Sequence, residues 1–166
     1  MPTLICDKAD AARAPDTEVA HAGNRQHDDT DHRRRQTYTK RLLAYLAAHD
    51  EWLGSRHEYT VVHSVLAVPH CTAALVGADE VRNFYEEDAE LVFRPIRAFF
   101  EQHGIKAHFV HTVGHAAESI AKLAAEGRFD LIVMGSRDHG DLANLELGSV
   151  ATQVIARTTI PVLLVR

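Results

Sequence analysis

The chain has 166 residues, 46% of them apolar and 25% charged, with a formal net charge of −5. That length suits one full hydrophobic core and is short for two domains. The balance does not point to nucleic acid or an acidic membrane surface. The one basic run, Arg33-Arg34-Arg35, follows Asp28, Asp29 and Asp31 and is locally neutralised.

In chain order, residues 1–36 are polar and broken by Pro15, Gly23 and Asn24, and are read as an irregular N-terminal arm. Only Leu4-Ile5-Cys6 could begin a strand there. One domain is expected over residues 37–166. Arg41 to Leu53 carries Leu42, Leu46 and Leu53 at helical steps, and Gly54 fits a helix stop. Tyr59 to Val65 is β-branched and aromatic, hence a strand. Val68-Pro69 and Gly77 mark a loop. Asp79 to His103 reads as a long helix with Val81, Phe84, Val92, Ile96 and Phe99 on one side, and Pro95 within it predicts a kink or a break. Lys106 to Val113 is the next strand, and Ala116 to Glu126 a helix with Ile120 and Leu123 inward. Leu131 to Met134 is short and wholly apolar, the pattern of a parallel strand covered on both faces. Val150 to Arg157 is the last helix, and Val162 to Val165 the final strand.

This alternation predicts an α/β fold: a doubly wound, mostly parallel five-stranded sheet with helices on both faces. Ligands of such sheets sit beyond the carboxyl ends of the strands, where the strand order reverses. The stretch after Met134 falls there. A buried strand ends in Gly135, a polar loop follows, and Gly148-Ser149 opens a helix. Glycines allow close backbone approach to a phosphate, and helix N-terminal amides aim donors at it.

Residues 130–166 resemble the universal stress protein family. Its nucleotide-binding members carry Gly, two residues, Gly, nine residues, then Gly-Ser or Gly-Thr. The strand before this loop, the helix after it and the closing Pro161-Val162-Leu163-Leu164-Val165 agree with the family, as does the turn Gly114-His115-Ala116-Ala117-Glu118-Ser119-Ile120. The similarity runs from about Lys40 to Arg166. It implies an adenine nucleotide alpha hydrolase-like fold and a domain, usually dimeric, that either binds ATP or has lost that ability. Gly135, Gly148 and Ser149 match the phosphate-holding positions, and Val150 supplies the next amide. The resemblance also implies a homodimer formed through the C-terminal strand.

Two positions depart from the family pattern. Asp138 stands where the second glycine belongs, and Gly140, two residues on, does not restore the spacing. Between Gly135 and Ser149, Arg137 supplies one positive charge and Asp138, Asp141 and Glu146 three negative, a net of −2. Two like charges ~4 Å apart cost roughly 1 kcal/mol in water and about 4 at a protein surface. The second departure is the first strand, which in binding members ends in Val-Asp and whose Asp helps hold the nucleoside. Nothing just before Arg41 resembles it. Thr3 to Asp7 is the candidate, with Asp7 as the nucleoside contact and a long insertion after it.

Each candidate also has a plainer role. Gly135 could serve a tight turn, Ser149 could cap its helix, and Asp138 could be a solvated loop acid. His108 and His111 fall on opposite faces of one strand and are not expected to share an ion. Cys6 and Cys71 show no metal spacing and read as reduced thiols. No metal site and no catalytic group is assigned. The expectation is a cytosolic, non-enzymatic interaction or regulatory domain, with ATP bound weakly or no longer bound and Mg²⁺ entering only alongside it. A working ATP-sensing module is the alternative. An ATP hydrolase ranks below both, since no lysine lies between Gly135 and Ser149 and the Walker pattern is absent.

Overall fold

The computed structural model describes residues 2–7, 41–49, 57–135 and 147–165. In chain order these form β1 (Pro2–Asp7), α1 (residues 41–48), β2 (Glu58–Val65), α2 (His70–Val76), α3 (Ala78–Gln102), β3 (Ala107–Val113), α4 (Ala116–Glu126), β4 (Leu131–Gly135), α5 (Ser149–Arg157) and β5 (Val162–Val165). The strands make one five-stranded sheet in the order β3-β2-β1-β4-β5, and every pairing is parallel.

Residues 2–7 are the central strand. Leu4 pairs with Thr60 on one side and Ile132 on the other, so the candidate first strand completes the sheet. Residues 8–40, with most of the predicted arm, lie outside the described residues. So does the predicted helix stop at Gly54.

Alternation along the strands sends neighbouring residues to opposite faces. Val61, Val65, Val133 and Val165 face α1 and α3, where Leu42, Leu43, Leu46, Ala89, Phe93, Ile96 and Phe100 are buried. Val62, Ile132 and Met134 face α4 and α5, packed by Ile120, Val150 and Val154. Alanines at 117, 124 and 151 keep those two helices close to the sheet. Each fully buried aliphatic side chain contributes about 1.5–3 kcal/mol by leaving water. Helices therefore cover both faces.

Three expectations are refined. The helix α3 runs unbroken through Pro95. Pro95 and Leu91 are both exposed, so water can take the Leu91 carbonyl that loses its N–H partner. The buried face of α3 is Ala89, Phe93, Ile96 and Phe100; Ile96 is inward as predicted, Val92 and Phe99 pack half-buried beside it, and Phe84 is exposed. The loop expected after Val68-Pro69 contains the seven-residue helix α2, which buries no residue and so leaves no periodic signal.

Candidate functional site

From β1 the chain builds β2 and β3 on one side, then crosses over to build β4 and β5 on the other. The strand order reverses between β1 and β4, and sheets of this kind place their ligand crevice beyond the carboxyl ends at that point. Cys6 pairs with Met134 across that boundary. The next residue of each strand is its last, so Asp7 and Gly135 end the two strands side by side. Asp7 also stands opposite His63 of β2, and Gly135 opposite Val165 of β5.

Gly135 is a strand residue and is not among the glycines with positive φ. A Cβ built on it would meet only the Val165 carbonyl oxygen, at 4.0 Å. Packing among the described residues does not demand a glycine here, and the turn that would follow it lies outside them.

Because β4 and β5 are parallel, α5 returns from the carboxyl edge, with its N-terminus at the crevice side. Gly148 is the N-cap, with φ −56 and ψ 148, and Ser149 is the first helical residue. This corrects the reading of Ser149 as a cap. No side chain among the described residues caps this end. The first intrahelical bond runs from the Thr152 N–H to the Gly148 carbonyl at 3.0 Å. The amides of Ser149, Val150 and Ala151 therefore have no acceptor within the helix. Val150 and Ala151 are buried and anchor the turn, and Ser149 is exposed. Asp138 and the rest of residues 136–146 lie outside the described residues.

The other side of the crevice is more polar than the sequence suggested. His63 and Ser64, near the end of β2, are the buried polar side chains among the described residues. His63 Nε2 lies 3.4 Å from Asp88 Oδ2, while its Nδ1 has no partner among the described residues. The Ser64 hydroxyl donates to the Gly114 carbonyl at 3.0 Å. The available signal was a polar pair set between the apolar Val61-Val62 and Val65. His108 and His111 are both exposed on β3, and no group of His, Cys, Asp and Glu among the described residues could hold a metal ion. No described helix is long and apolar enough to cross a membrane.

A five-stranded parallel sheet of this order, with a glycine-ended β4 and an uncapped helix after it, agrees with what comparison finds. The universal stress protein family model matches residues 36–166, and the chain belongs to that family. It is 33% identical over 117 residues to the universal stress protein YxiE of Bacillus subtilis, covering 66% of this chain and 79% of that protein. It is 34% identical over 88 residues to the universal stress protein MJ0577 of Methanocaldococcus jannaschii, covering 53% of this chain and 54% of that one. The chain thus spans about half the length of that relative. Among solved structures, the universal stress protein from Archaeoglobus fulgidus in complex with dAMP superposes with a TM-score of 0.54 at 18% identity, covering 100% of this chain and 98% of that one. The last likeness is one of fold.

Proposed function

We propose that this stress-response domain takes the phosphates of an adenine nucleotide, weakly, at the junction of β4 and α5. Gly135, Gly148, Ser149 and Val150 form the cradle, and Asp7 contacts the nucleoside. The observation that carries the reading is the start of α5: glycine at the N-cap, three amides without a helical acceptor, and a serine side chain that caps none of them. Such an end favours an anion through its amides and its dipole. The Archaeoglobus relative solved with dAMP supports the choice of nucleotide. Asp138 and the net −2 of the loop oppose a triphosphate, which is why the binding is weak. Mg²⁺ would enter only with ATP and would offset the charge of Asp138 against the phosphates.

The domain acts by binding, in the cytosol, and as a homodimer. The outer edge of β5 has no strand paired to it among the described residues, and a second copy would satisfy its backbone groups. Calorimetric titration with ATP, with and without Mg²⁺, tests the reading. We expect a dissociation constant between about 100 μM and several millimolar; a tighter one makes this a working ATP sensor, and no heat at millimolar ATP removes the nucleotide.

A further inference from the structure

Parallel strands covered on both faces are apolar where they are buried, and the buried run of β2 keeps that rule at Val61 and Val62 but not at His63 and Ser64. Alternation turns His63 toward α3 and Ser64 toward the α4 side. Ser64 is 0% exposed. A hydroxyl at such a position costs stability unless bonded, and an aliphatic side chain would be the default. Here the hydroxyl is spent on the turn between β3 and α4. It donates to the Gly114 carbonyl at 3.0 Å, and the Gly114 N–H donates to the Val65 carbonyl at 2.9 Å. The turn is thus pinned to the end of β2 by two bonds on successive residues.

Gly114 has φ +119, a conformation that side chains rarely adopt, yet a Cβ there would meet nothing within 4 Å. The glycine serves the shape of the turn, and the space beside it is open among the described residues. The turn stands at the same edge of the sheet as Asp7, which pairs with His63, the residue before Ser64. From β4 to β2 is two strand spacings, about 10 Å. A ligand whose phosphate sat at Gly135 and α5 would extend across β1 and bring its nucleoside to β2 and this turn.

We propose that Ser64 is a positioning residue for the nucleoside end of the crevice, its hydroxyl fixing the Gly114–His115 turn as the wall beside which ribose and base lie. This rests on the phosphate reading above. The test uses the full chain, with hydrogen exchange at the Gly114 amide and calorimetry against ATP and inorganic tripolyphosphate. In Ser64→Ala the Gly114 amide exchanges faster while amides of β4 do not. ATP affinity falls about 3- to 10-fold, the worth of one hydrogen bond, and tripolyphosphate affinity holds. Ser64→Thr, which keeps the hydroxyl, restores ATP binding. If Ser64→Ala does not fold, Ser64→Cys, with its weak donor, gives the same comparison. Unchanged exchange at Gly114, or ATP and tripolyphosphate weakening together, overturns the assignment. So does a loosened turn with ATP affinity intact. Wild-type protein that binds tripolyphosphate as well as ATP overturns it while leaving the phosphate cradle standing. Binding of neither removes both.

Discussion

Asp7, the last residue of β1, stands directly opposite His63 of β2 in the parallel register, and His63 in turn reaches Asp88 of α3 at 3.4 Å. The tip of the central strand thereby stands in register with the buried histidine that ties β2 to the helix covering it. A segment of six residues, far in sequence from the rest of the domain, completes the sheet.

Removing residues 1–7 bares the facing edges of β2 and β4. Unpaired strands in the middle of a sheet cannot be satisfied by water once both faces are covered. The truncated chain is expected to lose its sharp urea transition and to bind a hydrophobic dye. A truncated chain with an unaltered transition would contradict the central placement.

Ser149→Ala separates capping from ligand contact. A lost cap costs about 1 kcal/mol of stability. Ser149 caps nothing, so urea unfolding is expected to move by less than about 0.5 kcal/mol. Phosphate affinity is expected to fall about tenfold or more, as for a hydrogen bond to a charged group. A destabilised variant with unchanged affinity would restore the capping role.

Along α3, Phe100→Ala is expected to cost about 3–5 kcal/mol, because Phe100 is 2% exposed and packs edge-on against Tyr59. Phe84→Ala, at a side chain 46% exposed, is expected to stay within about 0.5 kcal/mol. Equal effects in urea titrations would put the buried face where the sequence pattern first placed it.

The proposed dimer has its own probe. The Ile132 N–H donates to the Pro161 carbonyl, so alternation turns the backbone of Leu164 away from β4. Leu164→Pro removes an outward donor and leaves the β4 ladder intact. Sedimentation is expected to show a dimer in the wild type and a monomer in the variant. An unaffected dimer would place the interface elsewhere.

What was legible in the sequence follows from what each element buries. The strands β2, β4 and β5 and the helix α4 announced themselves through continuous apolar or periodic runs, because each meets the core along its length. The helix α2 has no buried residue and was read as loop. Phe84 was placed inward because its periodicity matches the stripe. It is exposed because that stripe faces the sheet only from Ala89 onward. At the candidate site, Gly135, Gly148 and Ser149 were singled out by their match to the family's motif. The roles of Gly148 and Ser149 as cap and first helical residue were not, since a one-residue shift at a helix start leaves no trace in composition. His63 and Ser64 depend on partners 25 and 50 residues away, which no local pattern reports.

The account turns on a phosphate cradle weakened by a carboxylate, and a paired titration of the wild type and Asp138→Gly with ATP at fixed ionic strength tests it most directly. Replacing the carboxylate is expected to tighten binding about tenfold or more, some 1.4 kcal/mol, with the difference shrinking as salt is raised. Equal affinities for the two proteins, or a weaker one for the glycine variant, would contradict it.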